Sequence, residues 1–145
     1  MRAVLRKEGG LETVSLQSLS QMRARDAWEV FDKLQNSPGF KELADEAKKL
    51  PMRVKTSGLL QALAFMRAKG EAPELRKALS RWVLSQTGKP WIGAEDELLD
   101  AVRKGDLAFL RRATTESLAW LEWFVRFSEP KRKELASCKA QKERS

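Results

Sequence analysis

The densest group of chemistry-bearing side chains in this sequence is cationic. Lys48, Lys49, Arg53, Lys55, Arg67 and Lys69 crowd around Pro51 and the glycine at position 70, and Arg25 adds a cation from an earlier segment. Ammonium and guanidinium groups in this density suit contact with phosphate, which positions a nucleic acid without reading its sequence. Lys33, Lys131, Arg132 and Lys133 extend the basic surface. The whole chain carries 28 Lys+Arg against 20 Asp+Glu, a net charge of +8, so a polyanion is the first partner expected. Taken singly, each of these residues is ordinary solvated surface charge; the grouping makes them candidates.

Catalytic chemistry has few carriers. The sequence contains no histidine, which removes the commonest general base and the commonest metal ligand. Its eight glycines are scattered at predicted helix ends and loops rather than gathered into a phosphate loop. Glu95, Asp96, Glu97 and Asp100 form the one dense acidic group. Oxygen ligands of that kind suit a hard cation, but acids in the first turn of a helix also complement its dipole, and the second reading is preferred. A single cysteine, Cys138, excludes a disulfide framework and a thiolate metal site. No catalytic residue, metal or cofactor is expected. Two aromatics, Trp91 and Trp123, lie at margins where packing or a subunit contact is preferred to base stacking.

The elements that position these residues read as helices. Leu107 to Phe127 has an apolar side covering about half the helix circumference, from Phe109, Ala113 and Trp120 round to Leu118, which predicts a central helix packed on two sides. Asp106 is its predicted N-cap and Pro130 its stop, with Arg112/Glu116 and Glu122/Arg126 pairing along its polar strip. Ser18 and Gln21 form a capping box for a helix from Leu19 to about Gln35, on whose apolar face Arg23 appears, expected to reach a carboxylate of a neighbouring helix. Ser37-Pro38 starts a third helix that Pro51 interrupts. Residues 52–69 follow, apolar almost all round, with Gly58 placed where another backbone approaches and Gly70 as the C-terminal glycine. Helices from Pro73 to about Gln86 and from about Glu95 to Lys104 complete the set. The expectation is all-α: one compact domain of about six helices over 15–130, with a mobile arm at 1–14, a frayed or disordered basic tail at 131–145 and no strands. No apolar run approaches the roughly 20 residues that span a bilayer, and Ala3-Val4-Leu5 is too short for a signal peptide. A cytoplasmic protein without membrane contact is expected.

Three blocks together resemble one family. They are Arg23-Ala24 with Ala27 and Val30; Leu50-Pro51, Ser57-Gly58-Leu59, Ala62 and Leu63-Ala64-Phe65 ending at Lys69; and Thr115 to Ala119 followed by Leu121-Glu122-Trp123 and Arg126-Phe127. In order and spacing they are similar to the small helical subunit of the Cmr complex, the type III-B CRISPR RNA-silencing effector. The resemblance implies a non-catalytic, all-helical protein whose partners are other Cmr proteins, guide RNA, target RNA and further copies of itself stacked along the complex. It supplies no residue-by-residue RNA contacts, so the cations named above stand as the candidate nucleic-acid-binding residues. The alternatives are the small subunit of the related type III-A (Csm) effector, and a helical adaptor whose aromatic face binds protein while its charge serves solubility.

Overall fold

The computed structural model describes residues 2–8, 11–87 and 97–144. Within them the body of the chain is a helical bundle: α1 (Leu19–Leu34), α2 (Phe40–Ser57), α3 (Leu59–Lys69), α4 (Pro73–Thr87), α5 (Leu98–Lys104) and α6 (Leu107–Arg144). It is preceded by two antiparallel strands, β1 (Arg2–Glu8) and β2 (Leu11–Gln17), in a register that sets Ala3 opposite Leu16 and Leu5 opposite Val14. No strands were expected, and these two take in most of the arm delimited at 1–14. The sequence carries the signal of this hairpin, since apolar residues at a spacing of two flank Gly9-Gly10, a pair suited to a two-residue hairpin connection.

α6 is the central element and packs against all five other helices. Phe109, Ala113, Trp120, Leu121 and Phe124 are buried along it, with Trp120 and Phe124 stacked at 5.1 Å. Asp106 caps it as expected, its carboxylate accepting the Phe109 amide at 2.8 Å. Pro130 does not stop it. A proline inside a helix removes one backbone bond and crowds the preceding turn, at a cost of about 3 kcal/mol. The chain continues because side chains on both sides of the proline are tied to α2 and to each other: Arg132 bonds Asp45 of α2 at 3.3 Å and Glu129 of its own helix at 2.8 Å, Lys48 of α2 bonds Glu129 at 3.1 Å, and Leu135 packs against the core. At 38 residues the helix is about 57 Å long at 1.5 Å per residue.

Polar groups join α1, α4 and α6 in two three-helix knots. In one, Glu116 of α6 accepts from Arg23 of α1 at 2.9 and 2.5 Å and from the Trp82 indole of α4 at 2.9 Å. In the other, Asp26 of α1 accepts from Arg81 of α4, twice at 3.0 Å, and from the Trp120 indole of α6 at 2.8 Å. Arg23 therefore finds its carboxylate on a neighbouring helix as expected, and its guanidinium is held more firmly protonated by the Glu116 bond. Glu116 is turned inward to this knot, while Arg112 lies exposed.

The elbow between α2 and α3 lies at Gly58, not at Pro51. α2 runs through the proline without interruption, and Gly58 stands at φ 86°, ψ 157°. An L side chain tolerates that conformation poorly, whereas glycine adopts it freely. The Gly58 amide closes α2 on Val54 at 2.9 Å and its carbonyl opens α3 by accepting from Ala62 at 3.1 Å. No other atom lies within 4 Å of where a Cβ would stand, so the expected close approach of another backbone is not its reason. Crowding occurs instead at Gly105, and there it comes first from a side chain: an added Cβ would meet the Phe109 ring at 2.6 Å.

Candidate nucleic-acid interface

The elbow sets the candidate cations on several separate flanks. Along α2, Lys48 and Lys55 are seven residues apart and share the flank that meets α6, where Lys48 is bonded to Glu129. Lys49 and Arg53 share another flank and one carboxylate: Glu46 lies 3.8 Å from Lys49 and 2.7 Å from Arg53. Across the elbow, Lys69 of α3 joins Arg53. The Lys69 ammonium and the Arg53 guanidinium each lie 4.7 Å from the centre of the Phe65 ring. Arg67 is turned the other way, toward α5, where Glu97 at 3.2 Å and Asp100 at 4.0 Å hold it. Arg25 is remote from the group on α1, paired with Glu29 at 3.3 Å. Lys49, Arg53 and Lys69 are thus brought together, Lys48 and Lys55 lie on a neighbouring flank, and Arg25 and Arg67 belong elsewhere.

Ion pairing sorts these cations further. Lys55 is exposed, Lys69 is exposed, and neither has a carboxylate within salt-bridge reach among the described residues. Uncompensated cations are the ones whose counterions a polyanion can release. Of the acidic group considered as cation ligands, Glu95 and Asp96 lie outside the described residues, as does Trp91. Glu97 and Asp100 serve Arg67, Arg76 and Arg103 as ion-pair partners.

Phe65 was not legible from helical periodicity. Residues 52–69 read as apolar almost all round, yet only Val54, Leu59, Ala62, Leu63 and Met66 of that stretch are buried, while Leu60 is 39% and Phe65 40% exposed. The spacing Phe65/Lys69, four residues apart on one face, was the available signal. On the polar strip of α6, exposed Arg111 and Arg112 border a groove of about 340 Å³ shared with Gln86, Thr87, Thr115 and Glu116. Where α1 meets α6, Trp28 is 48% exposed, edge-on to Phe127 at 5.3 Å, and Phe127 in turn stacks with Trp123 at 5.8 Å.

The helical body that carries this elbow, residues 19–130, matches the model of the family described as CRISPR-associated protein (Cas_Cmr5). The chain belongs to the Cmr5 family. A curated relative, the CRISPR system Cmr subunit Cmr5 of Thermus thermophilus, is 38% identical over 116 residues, which are 79% of this chain and 96% of the relative. The crystal structure of a Cmr5 family protein from the same organism superposes with a TM-score of 0.67 at 33% identity, covering 79% of this chain and 97% of that one. The Cmr5 match begins at Leu19 and ends at Pro130, so the hairpin and the helical extension that Arg132 secures lie outside it. Membership in this family sets aside the type III-A assignment.

Among the described residues, no helix is long and apolar enough to cross a membrane.

Proposed function

We propose that this chain is a non-catalytic small subunit of the Cmr RNA-guided effector. In this reading it lies beside other Cmr proteins and further copies of itself, and contacts guide or target RNA through the cations of the α2–α3 elbow. The observation that carries the reading is the family match from the first residue of α1 through α6 as far as Pro130. The RNA contact is supported by the net charge of +8 and by the gathering of Lys49, Arg53 and Lys69, with uncompensated Lys55 nearby. A non-catalytic role agrees with a sequence that has no histidine and no phosphate loop.

Phosphate contact of this kind leaves sequence recognition to base pairing with the guide and makes affinity depend steeply on salt. The test is binding of a labelled single-stranded RNA as salt is raised. The logarithmic slope falls by about 0.7 for each phosphate contact removed. Lys55→Ala with Lys69→Ala is expected to flatten the slope and weaken binding without lowering the melting temperature, because both side chains are exposed. An unchanged slope would place the RNA elsewhere on the protein.

A further inference from the structure

Phe65 is one of two large apolar side chains that α3 leaves at the surface, with Leu60, and the aromatic one of the pair. Its neighbours Ala62, Leu63 and Met66 are buried, whereas its ring is 40% exposed and carries two cations, the Arg53 guanidinium from α2 and the Lys69 ammonium from its own helix, each at 4.7 Å. A cation over an exposed ring is weakly held, because water screens the attraction. A cation against a phosphate gains a stronger, charge-assisted bond. Among the described residues the one carboxylate bonded to this group, Glu46, is itself buried, so the surface presented outward is ring and positive charge.

Resting on the RNA reading above, we infer that Phe65 is a stacking platform for an unpaired base. Lys69, which has no carboxylate partner among the described residues, is the cation that leaves the ring for a flanking phosphate when the strand arrives, while Arg53 stays bonded to Glu46 and adds its charge beside the ring. The occupant is a single strand, because the base faces of a duplex are already stacked and only a splayed base presents one to an aromatic side chain. The ring supplies the apolar contact that a purely cationic surface lacks, and the two cations supply charge complementary to the backbone on either side. Gly58 fixes the geometry: it turns α3 against α2 so that Arg53 and Phe65, twelve residues apart in sequence, meet.

The test compares two labelled probes of equal length, an oligouridylate and an abasic phosphodiester strand, against the full chain and its Phe65→Leu and Phe65→Trp variants. Thermal melting verifies that each variant is folded. Wild type is expected to prefer the oligouridylate by roughly 5- to 150-fold for one stacked base. Phe65→Leu is expected to lose that preference while keeping its affinity for the abasic strand and its salt slope, and Phe65→Trp to restore the preference. Equal weakening of both probes with a flatter slope would mean that the ring only positions the cations, and would overturn the platform. Unchanged binding of both probes by Phe65→Leu would overturn it too. If the wild-type chain binds neither probe, the RNA reading itself fails, an outcome distinct from either of these.

Discussion

Replacing Glu116 by glutamine keeps the shape of the side chain and removes the charge that holds one of the two three-helix knots. The carboxylate accepts two hydrogen bonds from Arg23 and one from the Trp82 indole, in a place where its own side chain is 9% and that of Arg23 17% exposed. Glutamine offers a single carbonyl oxygen to these donors and turns its amide hydrogens toward the rest. Breaking a buried ion pair costs about 3–5 kcal/mol, and the residual exposure of Arg23 sets the expectation at the lower end, about 3 kcal/mol. At this chain length each kcal/mol moves the melting temperature by about 2–4 °C, so a fall of about 6–12 °C is expected. Circular dichroism melts of wild type, Glu116→Gln, Arg23→Met and the double variant measure it. The double variant should lose clearly less than the sum of the singles, since the second change removes a charge already stranded by the first. Glu122→Gln is the control: its pair with Arg126 is more than half exposed on both sides, and the change should move stability by no more than about 0.5 kcal/mol. A loss at Glu116 no larger than at Glu122, or strict additivity in the cycle, would refute the reasoning.

Two further outcomes follow from the fold. Gly58→Ala forces a Cβ into a φ of 86° and is expected to cost about 1–3 kcal/mol in the same melts although the space beside it is empty; an unchanged melting temperature would show that conformation is not what the glycine supplies. The Arg132 guanidinium, with Lys48, holds the Glu129 carboxyl down from 4.5 to about 2, and a group whose folded pKa is depressed stabilises above its unfolded value and loses that effect as pH falls through the folded one. Amide protection over 133–144 should therefore be the same at pH 5 as at neutrality, decline as pH falls from about 4.5 toward 2, and be lost at neutral pH in Arg132→Ala. A tail already unprotected at pH 5 in the wild type would contradict the role given to this cluster.

The helical architecture was legible where local chemistry decides it. The capping box at Ser18 and Gln21, the Asp106 cap and the apolar arc of α6 are written in short spacings, and so is the need of Arg23 for a carboxylate. What the spacings do not contain is the opposing helix. Pro130 reads as a stop because the partners that carry α6 beyond it, Asp45 and Lys48, lie more than 80 residues earlier in the chain. Pro51 likewise reads as a break, yet the turn is made by the backbone conformation of Gly58. Glu116 has an i,i+4 arginine in sequence, but its two guanidinium hydrogen bonds come from Arg23, 93 residues earlier on α1, a partner that no local spacing reveals. The candidate cations were legible as a group, but their sorting into paired and uncompensated members, and the part of Phe65 among them, required the elbow.

The claim that this Cmr5-family chain works as a subunit of an RNA-guided effector is tested most directly by recovering the tagged protein from its native host, identifying the proteins retained by mass spectrometry and sequencing the RNA. The account predicts other Cmr proteins together with repeat-derived guide RNA. Recovery of unrelated proteins without RNA would contradict it, and would point instead to an adaptor working through the aromatic surface of Trp28, Trp123 and Phe127.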